Sequence, residues 1–486
     1  MPILTLIENE RKTEIPFCDT PTVAELIERA NGFVFAPCGK IGRCGKCEIE
    51  IEGEISEPTA REKELGVRLA CLTRLFGDAC VRFVAGEERL AYISTEAEVD
   101  IKKTAVFSFG AAVDIGTTTV ALKLFNEKGI CIATVSDINP QRALSQDVIG
   151  RIGEAMNGKG ELLREQINSC IARLLDTACR IGRVIPEQVT SVVITGNTAM
   201  LYLYCGLNPA SISAYPFEAE TLFGINSDEK TYLAPCINAF NGGDTVCALI
   251  YSSMLDSGKT ALLCDIGTNG ELALWRDGSL FVTSTAAGPA LEGGEISCGC
   301  GNIVGAIDRV TLENGGIKAH TVGNAKAVGI CGSGLIDAVS AFLSLGYIDK
   351  SGYALRELKL TANGGEITLT QDDIRAFQLA KSAIRAGIET LLERTGTKWS
   401  DIETLYLAGG FGNRISVASA INTGLFDLSA AERIKLIGNA ALGGASMLLL
   451  DNSCRQKAEN IAKTANHIDL AGSTDFYDRF IKFIDF

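Results

Sequence analysis

The sequence predicts an α+β module followed by a larger α/β body, and three observations lead there. Four cysteines, Cys38, Cys44, Cys47 and Cys71, crowd the N-terminal part among short strand-like runs. The string Asp-Ile-Gly-Thr begins at Asp114 and again at Asp265, each time between apolar runs, so the body carries an internal duplication. A hydrophobic content of 47% with 51 glycines is the composition of a compact α/β protein, not a disordered one. At 486 residues, about two to four domains are expected.

In the N-terminal module, Leu4 to Ile7 and Lys12 to Phe17 read as a strand pair. Val23 to Ala30 read as a short helix with Thr22 as its cap. Cys47 to Ile51 read as a further strand. Between helix and strand runs Cys-x5-Cys-x2-Cys, and 23 residues separate Cys47 from Cys71. Gly39, Gly42 and Gly45 let such a loop curl, because glycine reaches positive φ without strain. Lys40, Arg43 and Lys46 set positive charge beside it. The set resembles the ligands of a plant- or adrenodoxin-type [2Fe–2S] ferredoxin. A zinc site is the competing reading, but zinc commonly takes two short Cys-x2–4-Cys knuckles and only one short pair is present. Cys18 and Cys80 fall outside the spacing and are expected to pack in the core.

Bulk properties exclude some classes. No apolar run reaches the roughly 18–20 residues that cross a bilayer, so no membrane role is expected. There is no charged-then-apolar leader, and 17 cysteines without an export signal suit a reducing cytoplasm. A net charge of −14 argues against nucleic acid. The charge-rich segment 87–104 reads as a linker between a first domain (1–86) and the body.

Each Asp-Ile-Gly-Thr reads as strand, tight turn, strand. The carboxylate at the strand end can hold a metal-bound water. Gly116 and Gly267 let phosphate oxygens approach the backbone, and Thr117, Thr118, Thr268 and Asn269 supply donors. Two such hairpins face to face would clamp a triphosphate. Downstream, Leu405 to Ala408 form an apolar strand ending in Gly409-Gly410-Phe411-Gly412, where a nucleoside could lie on backbone. Gly438 to Ala445 is a small-residue helix start that lets helices cross closely. For either Gly-rich stretch alone, plain packing is the competing reading.

In this order, with Val193 to Ala199 as a connecting segment, the motifs resemble the actin, sugar-kinase and heat-shock-chaperone ATPase superfamily. The resemblance implies two ribonuclease-H-like lobes, 105–255 and 256–486 with the C-terminal segment, and Mg-ATP between them. Asp114 and Asp265 would hold metal-bound water. Asp244, in Asn241-Gly242-Gly243-Asp244, resembles a catalytic base of sugar kinases, or is a turn residue. Glu292 and Glu295 face either the cleft or solvent.

The N-terminal part then makes a β-grasp ferredoxin-like domain fused to that ATPase. This combination resembles the reductive activators of corrinoid proteins. Asn139-Pro140-Gln141, Asp147 to Ile152, Gly196 to Met200, Gly288 to Gly294 and Ile330 to Gly334 support that group. The resemblance implies one-electron reduction of an inactive Co(II) corrinoid protein to Co(I) in anaerobic methyl-transfer metabolism. It implies an upstream low-potential electron donor and a homodimer. An ATP-driven donor to another low-potential metalloenzyme and a redox-gated regulatory ATPase are the rival readings. The chain departs from the group at Ser145, where glycine is expected, and in having a linker in place of a further domain. Only Cys454 follows Cys331, so a second cluster is not expected. Cys298, Cys300 and Cys331 read as small residues in tight loops.

Overall fold

A computed structural model describes residues 1–8, 11–30, 34, 42, 47–83, 103–145, 147–313, 315–410 and 414–486. It separates into two units, Met1–Arg89 and Leu90–Phe486. Cys38, Cys44, Phe411 and nearly all of the expected linker lie outside the described residues.

The first unit is a five-stranded mixed sheet with a short helix packed against it. Its strands are β1 (Ile3–Glu8), β2 (Arg11–Pro16), β3 (Glu48–Ile55), β4 (Arg68–Leu69) and β5 (Leu75–Phe83), in the order β2-β1-β5-β3-β4. The first two pair antiparallel, while β1 and β5 run parallel. Helix α1 (Val23–Arg29) starts at Thr22, whose N–H donates to Glu25 Oε2 while its hydroxyl accepts from Glu25 N–H. Leu26, Ile27, Leu4, Leu6 and Val81 share its core. A short helix α2 (Ala60–Leu65) precedes β4. Cys18 and Cys80 are exposed, which corrects their expected packing role. On β5 the inward positions are Ala79 and Val81, and the pleat turns Cys80 outward between them.

In the second unit the chain docks at once. Thr104 and Ala105 N–H groups donate to Leu450 O, and Lys103 Nζ donates to Glu127 O. Lys103 and Thr104, expected in the linker, therefore belong to the body. Strands β6 (Phe109–Ile115), β7 (Thr119–Phe125) and β8 (Cys131–Ile138) form a meander. Helices α3 (Val148–Glu154) and α4 (Gly160–Gly182), strand β9 (Val189–Gly196) and helices α5 (Thr198–Cys205) and α6 (Ala210–Ser213) follow. With β10 (Ile225–Asn226) and β11 (Thr231–Leu233) they make a sheet ordered β10-β11-β9-β6-β7-β8. Helix α7 (Gly243–Ser252) leads to the second half.

There β12 (Ala261–Ile266), β13 (Gly270–Arg276) and β14 (Ser279–Thr285) repeat the meander. A side sheet of β15 (Ala306–Glu313), β16 (Gly316–Thr321) and β17 (Gly329–Ile330), then α8 (Gly332–Ser344), a hairpin β18 (Leu358–Ala362) and β19 (Gly365–Leu369), and α9 (Gln371–Arg394) come next. The main sheet closes with β20 (Thr404–Gly409), α10 (Val417–Asn422), β21 (Ile434–Gly438), α11 (Ala440–Leu450), α12 (Asn452–Thr464), β22 (Asn466–His467) and α13 (Thr474–Lys482). Its order is β21-β20-β12-β13-β14-β22. The body is thus two six-stranded sheets of matching construction.

The strand period explains how they meet. On β6, Ala111, Val113 and Ile115 pack outward on the α4 side, while Ala112 faces a central core. On β12, Leu262, Cys264 and Ile266 pack toward α9, while Ala261 and Leu263 face that same central core. The central layer is made by α7 and α11, which cross at backbone contact. A Cβ on Gly444 would lie 1.9 Å from Cys247 O, and one on Gly443 would lie 2.6 Å from the Tyr251 ring. The expected close crossing is present, and glycine permits it.

Candidate functional site

Alternation on the strands places the two aspartates. Asp114 shares the face of Ala112, and Asp265 that of Leu263, so each carboxylate projects from a strand end into the central layer between the sheets. The N-termini of both central helices point there too. Asp244 lies in the first turn of α7, and Asn439 caps α11 and donates from Nδ2 to Asp114 Oδ2 at 3.2 Å. Glu271 sits directly across from Asp265 in the β12–β13 register.

These half-buried carboxylates repel one another. Burial, and then the Asp244 charge, push Asp114 up to about 7. Burial with Asp244, Asp114 and Glu292 raises Asp265 to about 8. Burial carries Asp244 to about 6 against hydrogen bonds from Thr245. Glu271 is raised as well, by burial, Asp244 and Asp265. Such a set asks for a cation. Among the described residues no three carboxylates, imidazoles or thiols converge closely enough to cage one directly. That donor set fits Mg²⁺, which keeps several waters and is held through them.

The turns behind the aspartates are tight. Gly116 N–H donates to Thr119 O and Gly267 N–H to Asn269 O, both at 2.9 Å. A Cβ on Gly116 would stand 2.7 Å from Thr119 O. The first turn is braced from outside. Asn139 Nδ2 donates to Gly116 O at 2.8 Å, Arg151 Nη2 to Thr117 O at 2.6 Å, and Asn197 Nδ2 to Thr117 Oγ1 at 3.3 Å. Arg151 is fully buried and forms no ion pair among the described residues; burial lowers it to about 9. Thr117 therefore points its hydroxyl back into the lobe, while Thr118 faces across the cleft.

Across the cleft stands Glu292. Thr118 Oγ1 donates to its Oε2 at 2.9 Å, and Thr268 Oγ1 donates to the same oxygen. One carboxylate oxygen thus joins the two turns, which settles the orientation that the sequence left open. Among the described residues nothing lies within 4 Å of a Cβ placed on Gly410, whereas Gly409 (φ 130°) abuts Ile266 O, where a Cβ would come within 2.4 Å.

In the first unit, Cys47 and Cys71 are buried, with their sulfurs 3.2 Å apart. That is too long for a disulfide, about 2.0 Å, and close enough for both to touch one metal centre. The segment bearing Cys71 is pinned by Glu62, which sequence reading missed. Its Oε1 accepts from Arg68 Nε, Leu69 N–H and Thr73 Oγ1, and its Oε2 from Thr59 N–H and Oγ1. Ala70 N–H also donates to Cys47 O at 2.8 Å. Cys298, Cys300 and Cys331 are buried, as expected of small loop residues.

Of the expected site residues, Asp114, Asp244, Asp265, Thr118 and Thr268 converge. Arg142, Arg151, Asn139, Asn197, Glu271 and Asn439 were not assigned roles from sequence. The strings Asn139-Pro140-Gln141, Arg151-Ile152 and Gly196-Asn197-Thr198 had marked several of them without saying what they hold.

Residues 259–486 match the family described as the C-terminal domain of RACo, the ASKHA domain, and residues 109–257 match the RACo middle region. The corrinoid activation enzyme RamQ of Eubacterium limosum is 32% identical over 413 residues, covering 77% of this chain and 69% of that protein. The [Co(II) methylated amine-specific corrinoid protein] reductase of Methanosarcina barkeri is 31% identical over 297 residues, 56% of this chain and 54% of its own length. A solved reductive activator for corrinoid,iron-sulfur protein superimposes with a TM-score of 0.72 at 25% identity, covering 100% of this chain and 98% of that one.

Proposed function

The chain belongs to the reductive activators of corrinoid proteins, and we propose that Mg-ATP between its two hairpins drives an electron from a [2Fe–2S] cluster to the Co(II) state of a corrinoid protein. The protein carries out ATP-dependent reductive activation of a corrinoid protein. The observation that carries the nucleotide reading is the paired turn: Thr118 and Thr268 converge on a single anionic oxygen, beside carboxylates in want of a cation.

Residue roles follow from that geometry. Asp114 and Asp265 would hold Mg²⁺ through its waters, with Asn439 fixing the first of them. Thr118 and Thr268 would bind phosphate oxygens, on turns held in shape by the Gly116 and Gly267 N–H groups donating to Thr119 O and Asn269 O. Asp244, at about 6, would take a proton from the attacking water. Gly409 and Gly410 would lie against the nucleoside. Because Asp114 touches the α11 cap and α11 meets α7 without side chains between them, a phosphate-dependent shift at the turns would reach both central helices.

Cys38, Cys44, Cys47 and Cys71 would hold the cluster. The five-stranded sheet, helix α1 packed against it and the adjacent Cys47 and Cys71 sulfurs support a β-grasp ferredoxin reading of the first unit. When bound, the cluster supplies a one-electron donor near about −400 mV. Each ~59 mV of uphill transfer costs a factor of ten, which nucleotide-driven conformational change can offset.

The test is anaerobic reconstitution with iron and sulfide. A charge-transfer chromophore in the visible, lost in Cys71→Ser while Mg-nucleotide binding persists, supports the reading. A chain that binds two irons equally well without Cys71 overturns the ligand assignment.

A further inference from the structure

The Glu292 bridge is more than a site residue awaiting a role. Its Oε2 occupies the one point that the Thr118 and Thr268 hydroxyls reach together, so any anion that engages both turns must replace it. The side chain is placed for exchange. It ends a short turn, Pro289–Glu292, between Gly288 (φ 76°) and Gly293 (φ 79°). Ala290 and Leu291 anchor that turn in the core, whereas Glu292 itself is only half-buried. Two cations on the first lobe, Arg142 and Arg151, feel its charge. They balance an anion in this position, whether carboxylate or phosphate.

We propose that Glu292 determines which nucleotide closes the cleft: it is an internal anion that only the terminal phosphate of a nucleoside triphosphate displaces from Thr118 and Thr268. A nucleotide that does not reach both hydroxyls leaves the carboxylate bridge in place. The inference rests on the nucleotide reading above. It adds that the chain senses the triphosphate by competition, not only by attraction, and that breaking the bridge marks the triphosphate-bound state.

The full-length chain is titrated calorimetrically with Mg²⁺ and β,γ-imido-ATP, with Mg-ADP, and with adenosine. Three variants are compared: Glu292→Ala, Glu292→Asp, which keeps the charge but is one methylene too short to bridge, and Glu292→Gln. The Ala and Asp variants are expected to bind the triphosphate analogue about tenfold more tightly (~1.4 kcal/mol). ADP and adenosine are expected to stay within about twofold, which also reports an intact cleft, and Gln to fall between. Simple charge repulsion instead leaves Asp like the unmodified chain, and that result overturns the proposal. Equal tightening for ADP, or no tightening in Ala and Asp, overturns it too. If the unmodified chain binds none of the nucleotides, the nucleotide reading falls first and this inference with it.

Discussion

Glu62 should decide whether the cysteine-bearing unit keeps its shape, and it offers the sharpest test of the structural reasoning there. The carboxylate is buried and takes five hydrogen bonds, from Arg68, Leu69, Thr73 and twice from Thr59. Burial by itself would raise its pKa. The bonds from the Leu69 and Thr59 backbone and the two hydroxyls outweigh that and hold it at about 2, against an ordinary 4.5. At ~1.4 kcal/mol per tenfold, the charged form adds about 3 kcal/mol to the unit's stability. The sign is set by the lowered value: the contribution is complete above pH ~4.5 and is lost as pH falls toward ~2. Glu62→Gln keeps the shape, removes the charge and aims an NH₂ at donors. The expected cost is about 3 kcal/mol at pH 7, in line with breaking a buried ion pair. Hydrogen exchange over 48–55 and 75–83 in the cluster-free chain, across a urea series, reads the opening free energy of this unit. Opening should become roughly a hundredfold more frequent in the variant. The unmodified chain should weaken between pH 4.5 and 2, and the variant should show a shallower slope, since Glu25 is held below its ordinary value as well. A cost below about 1 kcal/mol, or the same acid slope in both proteins, would refute the argument.

Other outcomes follow from the body. Asp265→Asn should lower Mg-dependent ATP hydrolysis by about a hundredfold or more, yet raise the melting temperature of the metal-free chain at pH 8, because one of four crowded carboxylates is gone; a lower melting temperature there would contradict the repulsion. In the unmodified chain, Asp114 and Asp265 have folded values raised to about 7 and 8. The stability linked to their protonation is full below the unfolded value of ~3.9 and lost as pH rises through 7 to 8. Scanning fluorimetry should therefore show the metal-free melting temperature falling from pH 5.5 to 8.5, and Mg-ADP flattening the decline. Gly444→Ala places a methyl where only 1.9 Å separates it from Cys247 O, so it should cost ~1–3 kcal/mol and weaken nucleotide binding; an unchanged melt would mean the helices part freely.

Much of the fold was legible because its signals are local. Glycine and threonine at the ends of apolar runs fix a strand-turn-strand, and repeating the string at Asp114 and Asp265 announced the duplication. Gly443 and Gly444 foretold the helix crossing, since only a missing side chain allows that approach. The braces were not legible. Asn139, Arg151 and Asn197 lie 20 to 80 residues from the turn they hold, and nothing in a linear string says that a buried arginine serves a carbonyl at Thr117. Glu292 was ambiguous for the same reason: a glutamate among glycines is equally at home in water, and only the meeting of the two sheets gives it two threonines. Cys18 and Cys80 misled because cysteine's usual burial says nothing about strand parity, which turns Cys80 outward.

ATP-driven delivery of an electron to cobalt is tested by mixing the reduced, cluster-loaded chain anaerobically with an oxidised methyltransferase corrinoid protein and following the cobalt spectrum with and without Mg-ATP. The expected result is loss of the Co(II) bands and growth of Co(I) only when Mg-ATP is present. Co(I) formed equally without nucleotide, or Co(II) persisting against every such corrinoid protein, would contradict it.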